Sequence, residues 1–593
     1  MENVNVVING KEYSVPKHFT ILEAARYVGI DIPTLCYLKD INEIGACRLC
    51  LVEVTGARGL VTACVYPVND GMEIQTNTAK IRAARKTNLE LVLSAHEKKC
   101  LSCIRSTTCE LQKLAQEYKA DEDRFVYGAK DTKVSLDTSS VSIIRDNNKC
   151  ILCRRCIGAC NNQGIGAIGA TNRGYDTMVA CAFEKDLAET SCINCGQCIN
   201  ACPVGALYEK DDTQKILDAI GDPTKHVAIC CAPSVRTAIG ECFGYEPGTD
   251  TEGQMVAALK KLGFDGVYDM NFTADLTIME EGSEFLQRFT HRGKHRWPMF
   301  TSCCPGWVSF LKSQYPAYKE HLSTAKSPQQ MFGTMAKTYM AWRLGIDPDK
   351  IFSVSVMPCT AKKYERTVNE VQDSGHGKDV DLVLTTREID RIIRYDGIEP
   401  DELYDVPFDD VFGEGSGAGV IFGSTGGVME AALRSAYFLA TGTNPDPDAF
   451  SQVRGSGGWR EATFNLAGQE LNIAIVSGLG NVRKLVEAVR QGKEHYDFVE
   501  VVACPGGCVG GGGQPFRDGE EKAEERAGIL YSLDNVNDIR FSHENPTVIE
   551  IYENFLDAPL SEKSHHYLHT EVKDWDLEMN FDPDALLDPR QTY

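Results

Sequence analysis

Cysteine spacing constrains this chain more than any other feature. The chain has 24 cysteines in 593 residues, and many of them lie in C-x-x-C pairs or runs. Closely spaced thiols in a long chain favour metal–thiolate sites over a disulfide framework and indicate a reducing compartment. A chain of this length also exceeds what one hydrophobic core can organise. We therefore expect three or more domains, several of them built around metal sites.

Two cysteine runs repeat the pattern C-x-x-C-x-x-C-x-x-x-C, which is typical of two-cluster ferredoxins. In that arrangement the fourth cysteine of each run ligates the cluster of the other run. We predict an α+β domain over residues 126–215, with a surface loop in the insertion between the runs. One [4Fe–4S] cluster is predicted on Cys150, Cys153, Cys156 and Cys202. The second is predicted on Cys192, Cys195, Cys198 and Cys160.

The N-terminal residues 1–80 predict a β-grasp ferredoxin domain with one [2Fe–2S] cluster. Alternating apolar residues around Asn9-Gly10 indicate a β-hairpin. Thr20 to Glu23 has the capping-box pattern, so we predict a helix from there to about Tyr27. The proposed cluster ligands are Cys36, Cys47, Cys50 and Cys64. A structural zinc site is the alternative for four such thiols.

Residues 81–125 predict a small helical domain with a third [4Fe–4S] cluster. Its three cysteines, Cys100, Cys103 and Cys109, leave one ligand position of a four-iron cluster unfilled. His96 lies one helical turn before Cys100 and is the natural fourth ligand. A lone histidine is otherwise a surface or capping residue. Imidazole ligation tends to raise the potential of a cluster.

Charge and hydropathy exclude two classes of partner. A net charge of −23 disfavours binding to nucleic acid, whose phosphates need a basic surface. This charge favours solubility, with docking to a basic partner as the alternative. We find no signal peptide, no twin-arginine leader and no apolar run of about 18 residues that could span a membrane. A soluble cytoplasmic protein is therefore expected.

The second half of the chain alternates strand-like and helical segments. The predicted strands are 227–229, 351–356, 471–476 and 498–502, and the predicted helices are 427–439 and 482–491. This alternation predicts an α/β domain with parallel sheets over residues 216–520. Cys359 and Cys504 each follow a predicted strand, where open α/β sheets place their sites.

Four long motifs in this half resemble the signatures of the [FeFe]-hydrogenases and the glycine-rich segment between them. They are TSCCPGW from Thr301, MPCTAKK from Met357, EGSGAGVIFGSTGGVMEAALR from Glu414 and ACPGGCVGGGGQP from Ala503. The resemblance covers essentially the whole chain. It implies that Cys304, Cys359, Cys504 and Cys508 ligate the [4Fe–4S] part of an H-cluster. Cys508 would also bridge to a two-iron subcluster that carries CO, cyanide and an azadithiolate.

The same resemblance implies a proton route. Adjacent side chains diverge, so Cys303 and Cys304 are not expected to share one cluster, and the family assigns Cys303 to proton transfer. Glu281, Glu284 and Arg288 share one face of a predicted helix, and with Ser323 they would continue the route. Without the resemblance, this helix face would be interpreted as a solvated surface.

The two-iron subcluster requires an enclosed pocket. Ala232, Pro233, Met357, Pro358 and Phe422 are expected to form its apolar walls, while Lys362 and Ser234 are expected to donate hydrogen bonds to the cyanides. Two residues depart from many relatives: Val502 replaces a methionine and Pro505 replaces a histidine. The glycines Gly510–Gly513 lack the lysine of a phosphate-binding loop, so we expect them to allow close backbone approach to a cluster.

The resemblance implies an enzyme that interconverts H2, protons and electrons. The extended N-terminus and the ACPGGC sequence are similar to catalytic subunits of multimeric, NAD(P)-linked and often electron-bifurcating hydrogenases. The expected partners are a flavin-containing NAD(P)H-binding subunit, an iron–sulfur subunit, ferredoxin and maturation proteins. A stand-alone ferredoxin-dependent hydrogenase, a hydrogenase-like sensor or cluster carrier, and an electron conduit similar to the iron–sulfur subunit of complex I are the alternatives.

Residues 521–593 predict a C-terminal helical segment and an acidic tail. The segment contains His565, His566 and His569, which indicate either a metal site or part of a partner-docking tail.

Overall fold

The computed structural model of the chain describes residues 2–125, 134–516 and 522–570. The tail predicted from Glu571 to Tyr593 therefore lies outside the described residues. Buried apolar side chains form several separate clusters, as expected for a chain of several domains. Within the described ranges, none of the helices combines the length and the apolar character that crossing a bilayer requires.

The N-terminal part folds into a mixed five-stranded sheet with one helix packed against it. Its elements are β1 (Asn3–Ile8), β2 (Lys11–Pro16), α1 (Ile21–Tyr27), β3 (Leu51–Val54), β4 (Val61–Thr62) and β5 (Met72–Gln75). The strand order is β2-β1-β5-β3-β4, with β1 and β5 parallel. The predicted hairpin is confirmed, because Asn9 and Gly10 both take positive φ angles at its turn. The predicted capping box of α1 is also present.

Short helices carry the cysteine runs in the next part of the chain. Its elements are α2 (Ala79–Ser94), α3 (Glu110–Glu117), β6 (Ile143–Arg145), α4 (Arg155–Asn162), β7 (Gly169–Thr171), β8 (Met178–Ala180), α5 (Gln197–Ala201), β9 (Leu207–Glu209) and α6 (Thr213–Ile220). Strands β6 and β9 pair antiparallel. The insertion between the runs contains the antiparallel pair β7–β8, where a plain surface loop was expected.

The remaining described residues fold into two sheets surrounded by helices. The elements up to residue 344 are β10 (His226–Cys231), α7 (Pro233–Arg236), α8 (Glu252–Leu262), β11 (Gly266–Asp269), α9 (Asn271–Thr290), β12 (Met299–Phe300), α10 (Pro305–Gln314), α11 (Pro328–Met335) and α12 (Ala341–Leu344). The elements after it are β13 (Ile351–Met357), α13 (Ala361–Glu365), β14 (Leu382–Thr385), α14 (Thr386–Tyr395), α15 (Gly417–Val420), α16 (Gly427–Thr441), β15 (Trp459–Leu466), β16 (Gln469–Ser477), α17 (Leu479–Arg490), β17 (Phe498–Val502), α18 (Ala523–Val536), α19 (Pro546–Ile551) and α20 (Glu562–Leu568).

The predicted parallel sheets are confirmed. One sheet has the order β11-β10-β13-β14 and is parallel throughout. The other has the order β12-β17-β16-β15, in which only β15 is antiparallel. All four predicted strands and both predicted helices of this half are present, within a few residues of the predicted limits. The parallel strands end near one another, which brings the loops after β12, β13 and β17 to one place.

Candidate active site

Five thiols from three distant segments line one cavity of about 790 Å³. Cys303 and Cys304 precede α10, Cys359 follows β13, and Cys504 and Cys508 follow β17. Proline at the first position of α10 suits a helix start, because its missing N–H is not needed there. The sheet order therefore unites cysteines that are about 200 residues apart, as the distance of 3.4 Å from the backbone nitrogen of Ala503 to Sγ of Cys304 illustrates.

The donor set fits an iron–sulfur cofactor. Burial raises the pKa of Cys504 and of Cys508 to about 12, and it raises the pKa of Cys304 and Cys359 as well. Bare thiolates are therefore disfavoured in this cavity, and a bound cation would stabilise them. The hydroxyl of Ser234 is fully buried on the cavity wall and has no hydrogen-bond partner among the described residues. This orphaned donor fits a ligand with an acceptor atom.

The predicted pocket walls surround the same cavity. All six residues predicted to contact the cofactor are among those that line it, namely Ala232, Pro233, Ser234, Met357, Pro358 and Phe422. Lys362 also lines the cavity, and its ammonium donates to the Cys303 carbonyl at 3.0 Å and to Glu365 at 2.8 Å. Burial opposes the charge of Lys362, but Glu365 more than offsets it and raises the lysine pKa. A lysine has three N–H donors, so one remains for a ligand.

The two adjacent cysteines diverge, as predicted from the geometry of neighbouring side chains. Cys304 packs with the apolar cluster around Trp307, whereas Cys303 packs with the cluster around Phe285. Burial and the charge of Glu281 raise the pKa of the Cys303 thiol well above its usual range. Cys303 is therefore a protonated thiol at neutral pH, beside a buried carboxyl group.

Three polar side chains predicted for the proton route, Glu281, Glu284 and Arg288, lie along one face of α9. The face is buried, since the exposed fractions are 1% for Glu281, 6% for Glu284 and 7% for Arg288, so the solvated-surface interpretation is wrong. The Ser323 hydroxyl donates to Glu284 at 2.9 Å, and Arg288 donates to the same carboxylate at 2.5 Å. The structure thus brings together Cys303, Glu281, Ser323, Glu284 and Arg288.

Glu281 has fewer hydrogen bonds than Glu284, the other carboxyl group of the predicted proton route. Neither of its carboxyl oxygens has a hydrogen bond of normal geometry among the described residues. Burial, followed by the charge of Glu284, raises the pKa of Glu281 to about 8 from an ordinary value of 4.5. Because the folded protein binds this proton more tightly than the unfolded chain, the stability that Glu281 contributes falls as pH rises from about 4.5 to about 8.

The raised pKa of Glu281 makes a spectroscopic prediction. We expect the infrared carbonyl band of a protonated carboxylic acid to titrate near pH 8, and Glu281→Gln to remove this band. A pH-difference infrared spectrum of both proteins measures it. Glu284→Gln is the comparison variant: it keeps Glu281, so the band should remain, but it should titrate at a lower pH because the charge of Glu284 contributes to the raised pKa of Glu281. A band that persists in Glu281→Gln would contradict the assignment.

The ferredoxin-like cysteines group as the crossed pattern predicts. Cys150, Cys153, Cys156 and Cys202 line one small cavity of about 390 Å³. In the second set, the neighbouring charges of Cys192 and Cys160 contribute to the raised pKa of Cys198. Cys504 likewise contributes to the raised pKa of Cys195, so this second set adjoins the thiols of the large cavity.

The residues of the two ligand sets nearer the N-terminus also lie close together. Sγ of Cys50 lies 3.3 Å from Sγ of Cys64, and the backbone nitrogen of Cys47 lies 3.4 Å from Sγ of Cys36. His96, Cys100 and Cys109 line a common hollow, and Cys103 is close enough to Cys109 to raise its pKa. Nδ1 of His96 lies 2.9 Å from the Lys149 carbonyl, which leaves Nε2 free for a metal.

Comparison with known families accounts for five stretches of the chain. Residues 225–512 match the iron only hydrogenase large subunit, C-terminal domain, and residues 520–575 match the iron hydrogenase small subunit. Residues 1–79 match a 2Fe-2S iron-sulfur cluster binding domain, and residues 149–206 match a 4Fe-4S dicluster domain. Residues 85–124 match the NADH-ubiquinone oxidoreductase-G iron-sulfur binding region.

Similarity to individual proteins extends over nearly the whole length. The chain is 48% identical over 584 residues to the NADP-reducing hydrogenase subunit HndD of Solidesulfovibrio fructosivorans, which covers 96% of this chain and 99% of that protein. The chain belongs to the iron-only hydrogenases. This hydrogenase is also 42% identical over 575 residues to iron hydrogenase 1 of Clostridium pasteurianum, and the match covers 96% of this chain and 99% of that protein.

A solved structure gives the same result for the catalytic part. A variant of the [FeFe]-hydrogenase HydA1 of Chlamydomonas reinhardtii is 42% identical with a TM-score of 0.55, and the match covers 61% of this chain and 98% of that chain. The hydrogenase described here is thus an oxidoreductase that carries accessory 2Fe-2S and 4Fe-4S domains ahead of its H-cluster domain.

The atypical residues of this hydrogenase occupy different positions. Val502 lines the large cavity, whereas Pro505 is not among its lining residues. The glycine run approaches neighbouring backbone as well as the cavity, which Gly511 lines, and its close approach to a cluster stays a prediction. A Cβ on Gly511 would lie 2.0 Å from the Pro358 carbonyl oxygen, and one on Gly512 would lie 2.2 Å from that of Cys195. Glycine is therefore required at both positions, and at Gly512 it lets the loop after β17 pack against the ferredoxin-like segment that carries Cys195.

Several residues near the site were not anticipated. Gln329 lines the cavity with its carbonyl oxygen unpaired among the described residues, while its amide donates to Glu365 at 3.1 Å. Glu365 follows Lys362 by three residues on a short helix, and this opposite-charge spacing could have identified it. Gln329 carries no comparable sequence signal, because only the tertiary fold places it beside Lys362.

Proposed function

We propose that this hydrogenase interconverts H2 with protons and electrons at an H-cluster held by Cys304, Cys359, Cys504 and Cys508. The observation that supports this most is the single cavity that those four thiols line together with Cys303 and Lys362. When bound, the H-cluster supplies the open iron site and the two-iron subcluster with CO, cyanide and azadithiolate at which H2 is formed or cleaved.

In this proposal, the protein's own residues carry the proton between the cavity and the surface. Cys303 holds a proton on its thiol at the cavity wall, and Glu281 receives it as a carboxyl group whose pKa of about 8 suits exchange near neutral pH. Ser323 and Glu284 continue the route through their hydrogen bond of 2.9 Å. Arg288 holds the Glu284 carboxylate in place at the outer end.

Other residues hold the cofactor and exclude water. Lys362 and Ser234 present N–H and O–H donors to its polar ligands, and the apolar walls contributed by residues such as Met357, Pro358 and Phe422 keep the cavity dry. Apolar surroundings strengthen each of these hydrogen bonds.

Electrons are proposed to pass through four accessory clusters, three [4Fe–4S] and one [2Fe–2S]. The proposed division is a β-grasp domain at 1–80, a His/Cys3 cluster domain at 81–125, a two-cluster domain at 126–215, the H-cluster domain at 216–520 and a C-terminal segment at 521–593. The proximity of Cys195 and Cys504 supports transfer between the second ferredoxin-like cluster and the H-cluster.

The proposed physiological role is that of the catalytic subunit in a cytoplasmic NAD(P)-linked complex. Similarity to a NADP-reducing hydrogenase subunit and to an iron–sulfur region of NADH-ubiquinone oxidoreductase supports this role. The partners would be a flavin-containing NAD(P)H-binding subunit, an iron–sulfur subunit and ferredoxin, with maturation proteins to install the two-iron subcluster. A stand-alone ferredoxin-dependent hydrogenase is the second candidate, and copurification of a flavoprotein subunit distinguishes the two.

The test of the catalytic proposal is H2 evolution from reduced methyl viologen by anaerobically purified, matured protein. Infrared bands of CO and cyanide verify that the cofactor is complete. We expect rapid evolution. A complete cofactor without turnover would refute the catalytic role and favour a sensor or an electron conduit.

The predicted histidine ligand can be tested separately from turnover. We expect His96→Ala to lose about four iron atoms per chain and one [4Fe–4S] electron paramagnetic resonance signal. The change removes the proposed fourth ligand and leaves the cluster with only three cysteines. His18→Ala is a matched control outside the cysteine sets. Unchanged iron content and spectra in His96→Ala would contradict ligation by this histidine.

A further inference from the structure

The last described segment of the chain packs against the loop that carries Ser323. The backbone nitrogen of Lys326 donates to the Leu568 carbonyl at 2.8 Å, and that of Thr570 donates to the Thr324 carbonyl at 2.8 Å. Ala325 and His569 form an antiparallel bridge between these two bonds. The loop and the C-terminal segment are therefore joined as a short two-stranded ladder.

His569 lies in this ladder with its side chain fully buried. Its Nε2 is 2.9 Å from Glu280, and its Nδ1 is 2.8 Å from the Thr324 hydroxyl. Glu280 also accepts from the Tyr552 hydroxyl at 2.6 Å and from the Leu560 N–H at 2.9 Å. Since Glu280 is the acceptor in these bonds, Nε2 of His569 donates to it, and Nδ1 shares a hydrogen bond with the Thr324 hydroxyl, which can donate or accept.

This bonding also decides the role of the C-terminal histidines. Both ring nitrogens of His569 are occupied by protein partners, so it has no lone pair free for a metal. His565 stacks on His569 with ring centroids 4.7 Å apart. The metal-site interpretation of His565, His566 and His569 is therefore wrong for His569, whereas the partner-docking tail stays a prediction because the residues from Glu571 onward lie outside the described ranges.

The opposite face of the same loop holds the outer end of the proton route. The backbone nitrogen of Thr324 and the hydroxyl of Ser323 both donate to one oxygen of Glu284, each at 2.9 Å. The Ser302 hydroxyl donates to the Ala325 carbonyl at 2.8 Å, which ties the loop to the residue before Cys303. The position of Ser323 thus depends on a loop that His569 fixes from behind.

We propose that His569 is a positioning residue for the proton route, acting through Thr324. The hydrogen bond between Thr324 and His569 holds Ser323 and Thr324 against Glu284. Glu280 in turn fixes the orientation of the His569 imidazole through its own hydrogen bond. His569 itself is not among the residues that line the thiol cavity. The segment that matches the iron hydrogenase small subunit would thereby contribute to proton transfer. This inference rests on the proton route proposed above.

The decisive comparison is Thr324→Val with Thr324→Ser, since only the first removes the hydroxyl. We expect Thr324→Val to lower H2 evolution about fivefold or more at saturating methyl viologen, with the KM for viologen, the iron content and the infrared bands unchanged. Thr324→Ser should restore at least half of the wild-type rate. Thr570→Val is the matched control, because it removes a neighbouring buried hydroxyl bond to the Glu370 carbonyl at 2.8 Å.

Amide hydrogen exchange of the same holoenzymes supplies a readout that does not depend on turnover. We expect the peptide over residues 321–327 to exchange about tenfold faster in Thr324→Val and in His569→Asn than in the wild type or in Thr570→Val. Wild-type turnover and exchange in Thr324→Val would overturn the proposal, as would equal losses in Thr324→Val and Thr324→Ser. If His569→Asn fails to fold, the comparison of Thr324→Val with Thr324→Ser still tests the proposal.

Glu284→Gln in the same assay separates this inference from the route on which it rests. Full activity in Glu284→Gln would refute the proton route itself. Loss of activity in Glu284→Gln together with wild-type behaviour of Thr324→Val would refute only the positioning role of His569.

Discussion

Replacement of Cys303 by alanine is expected to lower H2 evolution by about 100-fold or more, because it removes the proposed proton carrier at the cavity wall. The thiol stays protonated, since its surroundings and the charge of Glu281 raise its pKa well above the usual range. A methyl group fills part of the same space but cannot donate or accept a proton. The measurement is the rate of H2 evolution from reduced methyl viologen, with matched iron content and matched CO and cyanide infrared bands.

The control for this change is Cys242→Ala, which removes a thiol that is not among the residues lining the large cavity. We expect that variant to turn over like the wild type. If Cys303→Ala carries a complete cofactor and retains the wild-type rate, Cys303 is not the proton carrier. If Cys303→Ala lacks the infrared bands, its low rate reports on assembly and the comparison must be made on reconstituted protein.

The second large effect is expected from Cys359→Ala, which should abolish H2 evolution and remove about four to six iron atoms per chain. Cys359 lines the cavity with Cys304, Cys504 and Cys508. These thiols lie in loops that follow strands of the two sheets, and the sheets bring the loops together. With three thiols, one iron of the [4Fe–4S] part has no protein ligand, and the two-iron subcluster has no complete platform. Iron analysis and infrared spectra measure both losses.

Electron paramagnetic resonance should show the accessory clusters intact in Cys359→Ala, because none of their proposed cysteine ligands is among the residues that line the cavity. Cys231→Ala is the matched control, since it also replaces a thiol at a strand end, but a buried one that does not line the cavity. Wild-type iron content and CO bands in Cys359→Ala would show that this thiol is not a ligand.

Local features of the fold could be predicted from the sequence because short-range geometry decides them. The hairpin at Asn9-Gly10 and the capping box at Thr20 depend on residues within a few positions of each other. Helical periodicity alone placed Glu281, Glu284 and Arg288 on one face of α9. Whether that face was solvated or buried depended on α9 being covered by other elements, so periodicity could not decide it.

In the candidate site, too, some features could be predicted from the sequence and others could not. Motif spacing and the family resemblance identified every thiol that lines the large cavity, and they paired Cys202 with the run that begins at Cys150, a pairing that the shared small cavity supports. Neither indicated that glycines 511 and 512 pack against the backbone of Pro358 and Cys195. The contact between Gly512 and Cys195 joins two parts of the chain whose relative position is set by packing.

By itself the sequence determined the class of protein, its cluster-binding motifs and most of its regular elements, because each is encoded over short stretches of chain. Only the tertiary structure decided which polar groups support those motifs. His569 and Glu280 are 289 residues apart and yet form a buried hydrogen bond. Such a contact leaves no local pattern, since its partners are brought together by the packing of α9, the Ser323 loop and the C-terminal segment.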